Sequence, residues 1–351
     1  MSFDDSNGTG IQGMGALTVE RKTYKLPASK CGVYSGGDGF ALIMVLFITA
    51  LLSVVSLGFL NSSRWNTLST HNLKEETLSY YLAVSGYNEA INYLMSDKDT
   101  SFDLVDSEGN FLVDDETSPV TGKRSTEAGD IEIKIIDEDS RININNVSNT
   151  NRLKNLFEYS GIPDDEIPGI IDSMKDWIDR ENKIHHLAGA EDDYYESLDD
   201  PYHAKNTMFS IPEELALVKG MTHEYLYGSG ETKPLLPLIT TFGARAKINI
   251  NTVSSEVMEL LGLDSAQIEA VYKQRNEDIG GFRSLNLIPN EIRRKGLNTI
   301  ASNNFRIEVT ATAGNSRTAA KIVAVLKRSR SLGGYKFNTV YWRESAENIR
   351  S

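Results

Sequence analysis

The sequence predicts an α+β protein: an N-terminal membrane helix continued by an amphipathic helix, a small antiparallel sheet, and a large helical region between the strands. Three observations carry this reading. Phe40 to Leu60 is an apolar run without a charge, alternating strand-like stretches lie at 131–136 and 305–326, and an eight-residue motif between them occurs twice. The chain's 351 residues allow two or three domains.

The apolar run comes first. At 1.5 Å per residue its length matches a bilayer core of roughly 30 Å. A secretory signal would have a shorter apolar region, about 7–15 residues, ending in a small-x-small cleavage site. This run instead ends Gly58-Phe59-Leu60-Asn61-Ser62-Ser63. Arg21, Lys22, Lys25 and Lys30 precede the span, whereas only Arg64 and Lys74 follow closely. The positive-inside bias puts the N-terminus in the cytoplasm and the bulk of the chain across the membrane.

No proline interrupts 64–95. Leu68, Leu78, Leu82, Ala83, Gly86, Tyr87, Ala90, Ile91 and Leu94 recur at steps of three and four, while Lys74, Glu75, Glu76, Asn88 and Glu89 fall mostly opposite. This spacing predicts an amphipathic helix carrying on from the span and packing on a globular domain.

Ile131 to Ile136 alternates like a strand, and Phe305 to Thr312, a Gly314-Asn315 turn and Thr318 to Leu326 read as a hairpin, with Tyr335 to Trp342 as a further strand. Between them, Arg141-Ile-Asn-Ile-Asn-Asn-Val-Ser148 is echoed by Lys247-Ile-Asn-Ile-Asn-Thr-Val-Ser254. Each copy leads into a helix-length run ending near a glycine, Gly161 or Gly262. The serines suit helix caps and the asparagines suit the strand-to-helix corner. Two copies of one helical unit follow.

The second copy, with Gly262-Leu263-Asp264 and Gly280-Gly281-Phe282, resembles a helix-hairpin-helix module, and 241–351 has 17 Lys+Arg against 10 Asp+Glu. That is the case for DNA binding. Asp264 opposes it, because it puts a carboxylate where the hairpin's second glycine should meet a phosphate. The overall charge of −13 opposes it as well. The chain is therefore expected not to bind nucleic acid.

Region 137–240 carries 21 Asp+Glu against 9 Lys+Arg. Asp176, Asp179 and Glu181, then Glu191, Asp192 and Asp193, gather hard oxygen ligands around a loop, a chemistry that suits Ca²⁺ better than zinc. The spacing is not that of an EF-hand, and a solvated acidic surface accounts for the same composition. The adjacent His185 and His186 are a poor pair for one ion. Neither a phosphate loop nor a nucleophile elbow is present, and the single cysteine, Cys31, excludes an internal disulfide.

Gly39-Phe40 at the mouth of the apolar run resembles a prepilin-like protein, and the ordered series beyond it is more specific. Gly39-Phe40-Ala41-Leu42, the lack of an acid at Met44, Ile142-Asn-Ile-Asn145, Asp176-Trp-Ile-Asp179, Gly189-Ala-Glu-Asp-Asp-Tyr-Tyr195, Pro201-Tyr202, Pro212-Glu-Glu-Leu215 and Ile248-Asn-Ile-Asn-Thr252 together resemble the K-type minor pseudopilins of the type II secretion system.

The resemblance implies a pilin-like fold with a large inserted helical domain of two SAM/helix-hairpin-helix-like repeats. It further implies prepilin peptidase cleavage between Gly39 and Phe40, methylation of Phe40, and no catalytic activity. In the family a glutamate at the fifth mature position pairs with a neighbour's N-terminal ammonium. Met44 stands at that position here, which implies a place at the filament tip, in pseudopilus initiation and protein export. The implied partners are the I- and J-type minor pseudopilins, the inner-membrane secretion platform and the exported substrates, with Ca²⁺ associated with the helical domain. The alternative is a helix-hairpin-helix DNA-binding membrane protein of a competence or type IV pilus system.

The expected division is a leader at 1–39, a span at 40–60, its amphipathic continuation at 61–95, sheet at 96–136, a first repeat with the acidic loop at 137–240, a second repeat at 241–304, and sheet again at 305–345. The leader is long and uncharged overall, with four Lys+Arg and four Asp+Glu, and Met14 offers a second start.

Overall fold

The computed structural model describes residues 38–106, 108–113, 120–181, 183–184, 188–276, 280–314, 316–331 and 334–348. Residues 1–37, with Met14 and Cys31, lie outside them, as do His185 and His186. Two compact units divide between Asn66 and Thr67.

Helix α1 is Asp38–Met95, followed by short strands β1 (Leu104–Val105) and β2 (Phe111–Leu112), then β3 (Gly122–Thr126) and β4 (Gly129–Asp137). Next come β5 (Ile142–Asn143), α2 (Thr150–Ser160), α3 (Ile167–Ile178), α4 (Asp192–Tyr195), α5 (His223–Tyr227) and β6 (Ile239–Thr240). The second copy holds β7 (Ile248–Asn249), α6 (Ser255–Leu260), α7 (Ser265–Asn276), α8 (Asn290–Arg294) and β8 (Leu297–Thr299). The chain ends in β9 (Asn304–Ala313), β10 (Thr318–Ser331) and β11 (Gly334–Asn348), a strand longer at both ends than the Tyr335–Trp342 read from the sequence.

The main sheet is antiparallel, in the order β11-β10-β9-β4-β3. Strands β4 and β9 are neighbours although 138–303 separate them, with Ile133 opposite Val309 and Ile135 opposite Ile307. The fold is therefore pilin-like, a long N-terminal helix and a small sheet, with a helical insert between two adjacent strands.

The sheet's core is the alternating face of its strands (Ile131, Ile133, Ile135, Ile307, Val309, Ile322 and Ala324) closed by Ala83, Tyr87, Ala90, Tyr93 and Leu94 of α1. Gly86 makes the close approach possible: a Cβ there would lie 2.8 Å from Val309 Cγ1 and 3.2 Å from Ile131 Cγ2. The insert has a separate core, including Ile144, Leu156, Phe157, Met174, Trp177, Tyr195 and Met258. Two buried cores follow from two periodicities, period two in the strands and three to four in the helices.

The repeated motif folds in the same way twice. In each copy its strand makes a two-stranded parallel pair, β5 with β6 and β7 with β8. The first asparagine accepts from the backbone N–H of the second at 3.0 Å in both copies, Asn143 from Asn145 and Asn249 from Asn251. The second asparagine then clamps a distant phenylalanine's backbone. Asn145 Nδ2 donates to Phe209 O at 3.0 Å and Asn145 Oδ1 accepts from Phe209 N at 2.8 Å, and Asn251 does the same with Phe282 at the same distances. The clamp spans 64 residues in the first copy and 31 in the second, a difference of 33.

Ser254 caps α6, accepting from Val257 N. The expected cap Ser148 does not act that way: α2 begins at Thr150, so Asn149 takes the cap position and accepts from Arg152 N, while Ser148 Oγ donates to Asn146 Oδ1. Gly161, with φ of 89°, ends α2 in the left-handed region.

Candidate functional site

Two places carry the sequence-based candidates, the start of α1 and the acidic segment. Phe40 and Met44 are helical, exposed and one turn apart on α1, so the fifth residue from Phe40 lies on the same face as Phe40 itself. The side chains from Phe40 through Leu60 are all exposed, as in a helix whose solvent is lipid. Among the described residues, this is the one helix long and apolar enough to cross a membrane. Gly39 lies in its first turn.

The acidic segment is folded around aromatic rings. Trp177 on α3 packs edge-on against Tyr195 at 5.2 Å and stacks on Phe209 at 6.4 Å, and Tyr195 stacks on Tyr202 at 5.3 Å. This packing folds the polar chain back so that α4 lies near the end of α3. Asp176 sits in the last turn of α3, buried, and Asp179 is that helix's C-cap. Glu191, 4% exposed, is the residue before α4, and Asp192 and Asp193 begin that helix.

Of these six, Asp176, Asp179 and Asp192 lie close enough to Glu191 to act on its charge. Burial pushes the Glu191 carboxyl up to about 7, and repulsion from Asp176, Asp179 and Asp192 adds to it. Glu191 Oε1 has no hydrogen-bond partner among the described residues. A buried carboxyl oxygen without a donor, facing other carboxylates, is costly unless a proton or a cation joins it. These carboxylates are near enough to repel one another and are candidates to hold a hard cation, while the ligand atoms that lie within 4.8 Å of one another among the described residues are those of Asp192, Glu196 and His203. Glu181 enters through its backbone, its N–H donating to Asp179 Oδ1 at 2.9 Å, while its side chain is exposed. Asp193 is exposed.

A second group, not singled out in the sequence, joins Asp192 to Glu196 and His203. His203 Nδ1 lies 3.1 Å from Glu196 Oε1 and 3.8 Å from Asp192 Oδ1. The one-turn spacing of Asp192 and Glu196 was a visible signal, but the return of His203 depends on tertiary packing. Ala204 N donates to Asp192 Oδ1 at 2.8 Å and fixes that return.

The hairpin of the second copy is occupied internally. Asp264 Oδ1 accepts from Gln267 N at 2.8 Å, Lys295 Nζ donates to Gly262 O, and both backbone groups of Phe282 go to Asn251. These amides and carbonyls hold the fold together and are not presented to a phosphate.

Residues 140–229 match the family described as type II secretion system (T2SS), protein K. The chain is 23% identical over 310 residues to a type II secretion system protein K of Pseudomonas aeruginosa, covering 84% of this chain and 90% of that one. It is 24% identical over 255 residues to the Aeromonas hydrophila protein of the same description, covering 65% and 73%. Its fold matches the crystal structure of the GspK-GspI-GspJ complex from the enterotoxigenic Escherichia coli Type 2 Secretion System, with a TM-score of 0.60 and 18% identity over 79% of this chain and 99% of that one. The apolar N-terminal helix, the interrupted sheet, the doubled insert and these likenesses together make the chain similar to the K proteins of the type II secretion system over most of its length.

Proposed function

We propose that this chain acts as a minor pseudopilin that occupies the tip of the pseudopilus and starts its assembly, held in the inner membrane by α1 with its N-terminus cytoplasmic and its bulk periplasmic. Its partners in this reading are I- and J-type minor pseudopilins, in line with the GspK-GspI-GspJ complex whose fold it shares. Prepilin peptidase cuts between Gly39 and Phe40, and the role is structural, without catalysis. The inner-membrane platform then takes the subunit into the filament that exports substrates.

The carrying observation is Met44, one turn from Phe40 on the same helix. An unpaired N-terminal ammonium at bilayer depth costs at least ~2.5 kcal/mol on insertion scales, and a carboxylate on the neighbouring subunit removes that cost. Met44 offers none, so this chain has no group with which to dock beneath another subunit. Its own Phe40 ammonium can still accept a subunit from below. The insert at 138–303 favours the same end position, because a bulky domain crowds a filament shaft.

Asp176, Asp179, Glu191 and Asp192 are the residues that would hold Ca²⁺. The ion would neutralise a set of carboxylates that otherwise repel one another, tying α3 to α4.

The test is site-specific cross-linking along assembled pseudopili, comparing wild type with Met44→Glu. Cross-links confined to one end, with the variant entering the shaft or disturbing initiation, are expected. Wild-type cross-links along the whole shaft, at the abundance of the major subunit, would refute the tip position.

A further inference from the structure

A cavity of about 390 Å³ lies where the end of β4, the β1–β2 turn and the second repeat meet. Its volume falls within the usual span of small-ligand pockets, about 300–1,000 Å³. Val105, Ile136, Val253 and Val257 supply apolar lining, and Arg141, Tyr272 and Arg275 supply polar lining.

Arg275, on α7, is 9% exposed. Its Nε donates to Ile250 O at 2.9 Å, its Nη2 donates to the same oxygen, and the guanidinium lies 5.1 Å from the centroid of the Tyr272 ring. A guanidinium has more N–H groups than one carbonyl oxygen can accept, and that oxygen carries no formal charge. Among the described residues no carboxylate pairs with Arg275.

The acids of the turn after β4 are engaged elsewhere. Glu138 Oε1 pairs with Arg306 Nε at 2.5 Å and with Arg141 Nη1 at 3.4 Å. Asp137 Oδ2 accepts from Thr252 Oγ1 and Ser302 Oγ, and Asp139 Oδ2 accepts from the N–H groups of Asn303 at 2.7 Å and Asn304 at 3.1 Å. A buried cation without an anion is costly, and one that borders a cavity can take its anion from outside the chain. Burial accordingly pulls the Arg275 guanidinium below its ordinary value, while Tyr272 acts in the other direction.

The β1–β2 turn adds Asp106 and Glu108 to the lining. Asp106 is held by its own turn, accepting from Glu108 N and Asn110 N at 2.8 Å and from Asn110 Nδ2 at 2.9 Å. Glu108 is exposed. Their charge works against a phosphate or any other multiply charged anion and favours a single carboxylate.

We propose that this cavity binds an organic carboxylate, with its acid group on Arg275 and its aliphatic body against Val105, Ile136, Val253 and Val257. The guanidinium's planar fork suits a carboxylate in particular. The C-terminus of a polypeptide and a free short-chain acid share this chemistry.

The experiment is titration calorimetry on the full chain in detergent micelles at pH 7. The probes are acetyl-alanyl-valine with a free C-terminal carboxylate, the same peptide as its amide, and butanoate. The acid peptide should bind at least about tenfold more tightly than the amide, and Arg275→Gln should abolish the difference. Butanoate weaker than the acid peptide supports the site with a polypeptide end as its source. Butanoate as tight or tighter supports it with a free acid as its source. Equal binding of acid and amide, no binding of either acid, or a preference that survives Arg275→Gln overturns the proposal. Should the variant not fold, ¹⁵N spectra of the wild-type arginine side chains decide. A saturable shift of the Arg275 Nε signal with the acid and not with the amide supports the site, and a signal that stays fixed overturns it.

Discussion

Asn251 and Phe282 hold each other through a closed pair of hydrogen bonds, Asn251 Nδ2 to Phe282 O at 3.0 Å and Phe282 N to Asn251 Oδ1 at 2.8 Å. Both asparagine bonds are buried. Asn251→Ala removes both and strands two backbone groups, at ~1–3 kcal/mol each. A loss of about 3 kcal/mol in the insert's unfolding free energy is expected, and Asn145→Ala should match it, because its clamp on Phe209 has the same geometry. Denaturant unfolding of each variant measures this, and a loss under ~1 kcal/mol would discard the clamp as a stabilising device.

Gly86 sets how closely α1 lies on the sheet. Gly86→Val adds atoms where Val309 Cγ1 and Ile131 Cγ2 already lie 2.8 and 3.2 Å from a Cβ position. Overpacking of this kind costs about 1–3 kcal/mol. The companion change Val309→Ala should recover part of the loss, which a double-mutant cycle would reveal. Strictly additive losses would contradict a direct clash.

Calcium and protons should compete at Glu191. Its carboxyl is held up at about 7, so in the metal-free protein the stability it contributes is full below about 4.3 and is lost as pH rises through about 7. Binding a cation needs the ionised form, so calcium affinity should rise over the same interval. At 100-fold excess over Kd the ion would stabilise the fold by about 2.7 kcal/mol. Calorimetric titrations at pH 6 and pH 8, with Glu191→Gln as control, measure this, and an affinity independent of pH or of the substitution speaks against the site.

Processing is read from the N-terminus. Mass spectrometry of membrane-extracted protein should find a methylated Phe40 as the first residue. An intact leader in cells with active prepilin peptidase would exclude cleavage after Gly39.

The elements were legible where one periodicity ran undisturbed. The apolar run announced α1, alternation announced β4 and β9, and the Ile-Asn-Ile-Asn motif announced the doubled insert. Phe209 and Phe282 gave no such signal, because an asparagine's partner 64 or 31 residues away is chosen by folding and not by spacing. Asp176, Glu191 and Asp192 were visible as acids, but their convergence depends on the rings of Trp177 and Tyr195. His203 stayed hidden for the same reason. Asp137 and Asp139 looked like ordinary acids after a strand, since their burial comes only from the return at Ser302–Arg306.

The pairing of β4 with β9 across the insert constrains the order in which the protein can be finished. Synthesis delivers α1 and β4 early, yet the core they share stays incomplete until Phe305, Ile307, Val309, Ile322 and Ala324 arrive at the end. The insert, with its own core, can condense while the half-sheet waits. The nascent chain therefore passes through an interval in which an open strand edge and a greasy face are exposed together, the state most prone to wrong partners. Chains truncated before β9 should show this as capture by holding chaperones or as aggregation, even though the insert within them is complete.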